Sequence, residues 1–259
     1  MHTIALVADT HGWLDDRLCP ALAAAKVTHI LHAGDVALGK KKVANRLDAK
    51  SLLDALSKVA PVHAVRGNTD DDASLPAMRT YKAGAVRFVV HHGNKNDEAG
   101  LPDWKDDEAV LAALEPAGGW RESGDIIVSG HSHKPRFVRH DSGVAFLNPG
   151  TAGGPTETKR FGATLPQQCA VVHCSEGLAN TAFEVSAIDL NTGAACIWFA
   201  ESEQLPAAEE EKATNTVTGP AVATHKRMRQ TSPATTATSS VSSPALRVTA
   251  RKARCRSVR

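Results

Sequence analysis

Five short clusters hold the residues whose types can do chemistry: Asp9 with His11, Gly34-Asp35, Gly67-Asn68 with Asp70, His92-Gly93, and Gly130-His131 with His133. These are oxygen and imidazole donors with no thiolate among them, a set that suits Mn, Fe, Co, Ni or Zn rather than a soft copper site. In an extended segment residues two apart point the same way. Asp9 and His11 can therefore offer two groups to one locus, and so can His131 and His133. One ion would not need so many ligands. In the fourth cluster His91 precedes His92, and the local pattern does not choose between them.

These clusters need a scaffold that brings them together, and each follows a predicted strand. The strands are residues 4–8, 28–33, 62–65, 86–90 and 125–129, all rich in apolar and β-branched side chains. Helical periodicity over 15–25, 47–59 and 106–114 falls between or before them, an alternation that predicts an α/β domain. In open α/β sheets the crevice beyond the carboxyl ends of the strands receives ligands, so five such ends would converge on one place. From residue 136 onward, runs at 137–140, 144–147, 170–174, 183–189 and 195–199 read as antiparallel strands between Gly, Asn and Pro turns. His32 and His63 alternate with apolar neighbours and are expected to sit in the core or to support the site.

The chain has 259 residues, 42% of them hydrophobic, enough for one sizeable core. The longest apolar run near the start, residues 4–8, is far below the ~18 residues of a membrane span and follows no basic segment, so neither a membrane anchor nor a signal peptide is expected. Five irregularly spaced cysteines fit reduced thiols and a cytoplasmic location. The net charge of +2 conceals an asymmetry. Residues 212–259 carry ten Lys or Arg and no acid, which leaves residues 1–211 at −8. Residues 1–205 are read as the folded domain, and 206–259 as a low-complexity basic tail expected to be disordered. That tail could serve nuclear targeting or contact nucleic acid, or simply be solvated. Oligomeric state is not legible.

Taken in order, Asp9-x-His11, Gly34-Asp35, Gly67-Asn68-x-Asp70, His92-Gly93 and Gly130-His131-x-His133 resemble the calcineurin-like metallophosphoesterase superfamily. The early first cluster and Asn148-Pro149-Gly150-Thr151 are similar to its small YfcE-type phosphodiesterase branch, related to the retromer subunit Vps29. The resemblance implies an α/β fold, a four-layer α/β/β/α sandwich, with two divalent ions drawn from Mn, Ni, Fe, Co or Zn. By the resemblance Asp9, His11, Asp35 and His133 would hold the first ion, and Asp35, Asn68, His92 and His131 the second. Its order, His directly before Gly, selects His92. Asp35, Asn68, His92 and His131 are the implied catalytic set, with Asp35 bridging.

The implied activity is hydrolysis of phosphate esters by a hydroxide held between the two ions. A charge count favours diesters. Two dications, the carboxylates Asp9 and Asp35, one hydroxide and a singly charged diester sum to zero, whereas a dianionic monoester leaves the pocket negative. Many superfamily members carry His directly after the Asn of the third cluster; here Thr69 stands there, which puts protonation of poor leaving groups in doubt. The competing expectation is a Vps29-like scaffold with weak or absent catalysis, and seven filled ligand positions favour the enzyme.

Overall fold

Ile4 to Val7 are buried without a break, the pattern of a strand covered on both faces rather than one half-open to water. In the computed structural model, residues 1–39, 44–94, 105–114, 125–155, 158–160, 163–175 and 183–200 are described. They form β1 (His2–Val7), α1 (Leu18–Ala24), β2 (His29–His32), α2 (Ala49–Ser57), β3 (Val62–Ala64), β4 (Met78–Ala83), β5 (Val86–His91) and α3 (Asp107–Leu114). Then follow β6 (Asp125–Val128), β7 (Arg136–Arg139), β8 (Ala145–Asn148), β9 (Lys159–Arg160), β10 (Ala163–Thr164), β11 (Gln168–Cys174), β12 (Phe183–Asp189) and β13 (Ala195–Ala200). No helix among the described residues is long and apolar enough to cross a membrane. Residues 206–259, expected to form the tail, lie outside the described residues.

One sheet has the order β13-β12-β11-β1-β2-β3, the other β4-β5-β6-β8-β7, and β9 and β10 make a separate pair. In the first, β1, β2 and β3 run parallel. In the second, β5, β6 and β8 do so. Side chains from both sheets, among them Ile4, Leu6 and Val172 from the first and Phe88, Ile126 and Leu147 from the second, share one buried cluster. The sheets are therefore packed face to face. On the outer face of the first, Val7 and Ile30 meet Leu18 and Leu22 of α1 and Leu52 and Leu56 of α2. On the outer face of the second, Val89 and Ile127 meet Val110, Leu111 and Leu114 of α3. The result is the four-layer α/β/β/α sandwich.

Local chemistry sets the ends of the helices. Asp48 caps α2 by accepting the amide of Ser51 at 2.7 Å, a bond worth about 1 kcal/mol. Asp107 of α3 is paired with Arg136 of β7, which ties the outer helix to its sheet. Two expectations are corrected. The half-polar strand β4 was not anticipated; it pairs with β5 through a two-residue turn whose first position, Gly84, has φ +61, as such hairpins require. The strands after residue 136 are not all antiparallel, because β8 runs parallel to β6 while pairing antiparallel with β7. Its run is buried on both faces, so alternation carries no direction signal.

Candidate metal centre

Asp9 and His11 follow β1, Asp35 follows β2, Asn68 follows β3, His92 follows β5, and His131 and His133 follow β6. Five parallel strand ends from two facing sheets thus converge, and all seven residues meet there. Asp9, His92 and His133 are 0% exposed, with His11 and Asp35 nearly so. His131 is half-buried and Asn68 is exposed at the rim.

The backbone at these positions is unusual. Among the described residues seven non-glycines have positive φ, and five are in this set: Asp9 (53°), His11 (48°), Asp35 (52°), His131 (64°) and His133 (58°). An L-residue in this region costs about 1–2 kcal/mol, and such strain concentrates where function demands a particular aim. Hydrogen bonds hold it in place. The amides of Asp9, His11 and Gly12 donate to the carbonyls of Gly34, Asp35 and Val36 at 3.1, 2.8 and 2.7 Å, zipping the first loop to the second. Gly67 lies so close to Asp35 that a Cβ would collide with its amide and carboxylate.

Donor atoms face one another at short range. His11 Nε2 is 3.2 Å from His133 Nε2 and 3.6 Å from Asp35 Oδ2. His133 Nε2 is 3.5 Å from Asp9 Oδ1. His92 Nε2 is 3.3 Å from Asp35 Oδ1 and 3.0 Å from Asn68 Oδ1, which also lies 2.9 Å from His131 Nδ1. Ligands at about 2.0–2.2 Å from one ion stand about 3.0–3.6 Å apart, so these distances match the spacing that ligands of one ion would have. Two triads have ligand atoms grouped within 4.8 Å, Asp9-His11-His133 and Asp9-Asp35-His92. Asp9 belongs to both. Asp35 divides its oxygens, one toward His11 and one toward His92. His131 is in neither triad and joins through Asn68. His92 rather than His91 enters the cluster.

Electrostatics follow from this packing. Burial by itself would lower the His92 pKa, but the bond to Asp35 and the charges of Asp35 and Asp9 outweigh it and raise it to about 9. Burial opposes the charge on Asp35, yet His92 and His11 hold its carboxyl well below the usual range. The Ala33 carbonyl can only accept, so His92 Nδ1 donates to it at 2.8 Å, which leaves Nε2 as the atom that can bind an ion. Beneath the site His32 is pushed by burial, and then by the charge of His92, to about 3 and is neutral. Its Nε2 donates to Thr10 Oγ1 at 3.0 Å, whose hydroxyl donates to Val36 O at 2.9 Å. His63 instead stacks on His29 and lies tilted against Tyr81.

Several supporting residues carried little signal in the sequence. Asp70 accepts the amides of Val36, Ala37 and Gly67 at 3.1, 2.8 and 2.9 Å, fastening the loop after β2 to that after β3. Asn148 donates to Gly130 O and Ser132 Oγ, and Thr151 donates to Asp9 O at 2.8 Å. Only the short motifs around Asp70 and Asn148 hinted at them. Thr69 turns its hydroxyl to Ala37 O and His11 Nδ1.

Comparison with known proteins finds relatives in sequence and in fold. The model of the calcineurin-like phosphoesterase superfamily domain matches residues 2–177. A probable metallophosphoesterase of Methanocaldococcus jannaschii is 30% identical over 157 residues, 59% of this chain and 69% of the relative. Vps29 of Entamoeba histolytica, solved in complex with Zn²⁺, superposes with a TM-score of 0.56 at 19% identity, covering 75% of this chain and 96% of that one. YfcE, a phosphoesterase from E. coli, gives 0.50 at 21% identity, covering 74% and 96%. At these identities the two solved structures speak to the fold.

Proposed function

The chain belongs to the calcineurin-like phosphoesterase superfamily, and from that premise we propose that it is a metal-dependent hydrolase of phosphate esters, diesters above monoesters. The observation that carries the reading is the convergence of Asp9, His11, Asp35, Asn68, His92, His131 and His133 with donor atoms at the edge lengths of two coordination polyhedra. Asp9, His11, Asp35 and His133 would hold one divalent ion, and Asp35, Asn68, His92 and His131 the other. When bound, such ions supply Lewis-acid charge and a water that ionises near neutral pH.

The chain's own residues do the rest. Asp9 and Asp35 place two buried negative charges where a second ion is tolerated and where a dianionic monoester would add excess charge. Asn68 and His131, in contact at the rim, would meet an incoming phosphoryl group and orient it. His92, fixed by Ala33, keeps its Nε2 aimed at the centre.

The test is to strip the protein with chelator, reload it with Mn, Ni, Co, Zn or Mg in parallel, and assay bis(4-nitrophenyl) phosphate against 4-nitrophenyl phosphate. Reloading should restore diester turnover ahead of monoester turnover. Likeness to Vps29 favours a second reading, a docking scaffold. A protein that takes up ions and hydrolyses neither ester would support that instead.

A further inference from the structure

Three contacts meet on Thr69, the residue after Asn68. Its amide donates to Asp35 Oδ1 at 2.8 Å, its hydroxyl lies 2.8 Å from Ala37 O, and the same oxygen is 3.3 Å from His11 Nδ1. A hydroxyl has one proton, and a carbonyl can only accept. That proton therefore goes to Ala37. The lone pairs that remain face His11 Nδ1, and only a protonated Nδ1 completes the contact.

We propose that Thr69 is a positioning residue: its hydroxyl, anchored on Ala37, holds His11 with hydrogen on Nδ1 and a lone pair on Nε2, while its amide steadies Asp35. The inference rests on the reading of this cluster as a metal centre. In the opposite tautomer a hydrogen on Nε2 would occupy the atom that faces His133 Nε2 and Asp35 Oδ2. The anchor is stiff, because the amide of Ala37 donates to Asp70, which also holds Val36 and Gly67. The backbone of His11 is fixed as well, its carbonyl accepting from Arg46 Nη1 at 3.2 Å. Thr10 does the same for His32, donating to Val36 O and accepting from Nε2, so hydroxyl-set tautomers occur twice around one loop. Where many superfamily members carry His, Thr69 thus has a task of its own, that of aiming a ligand.

Thr69→Val keeps the shape and the amide bond but removes the hydroxyl; Thr69→Ser keeps the hydroxyl. Mn²⁺ and Zn²⁺ titrated calorimetrically into the metal-free full-length chain should bind about 10- to 100-fold more weakly to the Val variant and within about threefold of wild type to Ser. Nitrogen NMR of metal-free protein should show His11 protonated on Nδ1 in wild type and Ser, and mixed tautomers in Val. Unchanged affinity and tautomer in Val, or equal losses in Ser and Val, would overturn the proposal. If Val fails to fold, a wild-type His11 with its hydrogen on Nε2 overturns it alone. A wild type that hydrolyses no ester while Val still shifts both readouts would sink the phosphoesterase reading and leave this one standing.

Discussion

In the metal-free protein His92 should titrate near pH 9, and Asp35→Asn should lower it markedly, because burial is then opposed only by the charge of Asp9 and the bond to Ala33. The distance between 6.5 and about 9 corresponds to about 3 kcal/mol of preferential stabilisation of the charged ring. The sign is fixed by linkage. His92, raised in the folded state, stabilises fully below 6.5 and loses that contribution as pH climbs through about 9. Asp35, depressed, stabilises above 3.8 and loses its contribution as pH falls below that. Asp35→Asn should therefore cost the metal-free protein about 3 kcal/mol more in urea unfolding at pH 6 than at pH 10. Metal uptake must also expel the His92 proton, so affinity should fall about tenfold per pH unit below 9, with proton release measurable by calorimetry in buffers of different ionisation enthalpy. In the loaded protein the same variant should lose at least about 100-fold in turnover, about 3 kcal/mol. A wild-type His92 titrating near 6.5, or an equal stability loss at both pH values, would refute the reasoning.

Asp70→Ala strands three amides that it now satisfies; at about 1–3 kcal/mol each the loss should be at least about 3 kcal/mol by urea denaturation, with weaker metal binding. Asp15, held at about 2 chiefly by Arg17, should contribute stability above 3.8 that fades as pH falls toward 2, visible in acid unfolding of wild type and lost in Asp15→Asn. Its partner Arg17 is solvent-exposed, so the effect should stay under about 1 kcal/mol. Removing residues 207–259 should leave melting temperature, metal content and turnover of a small ester unchanged; a large fall in any would show that the tail takes part in the domain. With Thr69 occupied by His11 and Ala37, rates over a series of diesters should fall steeply as the leaving group becomes less acidic; a shallow dependence would reveal another proton donor.

The candidate residues and their strands were legible in the sequence because their signals are local. An apolar run ending in Asp-Thr-His-Gly or Gly-Asp announces a strand and the turn after it, whatever lies elsewhere in the chain. So 183–189 was read with the bounds of β12, and 62–65 within a residue of β3. What escaped was half-polar, as in β4, or directionless, as in the doubly buried β8. Periodicity also could not say that His92 and His131 of the second sheet meet Asp35 and Asn68 of the first. That depends on the shared core of Leu6, Leu31, Phe88 and Ile126, contacts between distant segments that set how the two sheets lie on one another. The positive φ at five candidate ligands is likewise a tertiary decision: Asp and His enter this region more readily than most residues, but the hydrogen bonds between loops are what hold these five there. Thr69 shows the division most clearly. Its one-dimensional neighbourhood marks a missing acid, and only the folded chain brings Ala37 and His11 to the two sides of its hydroxyl, where one proton can go only one way.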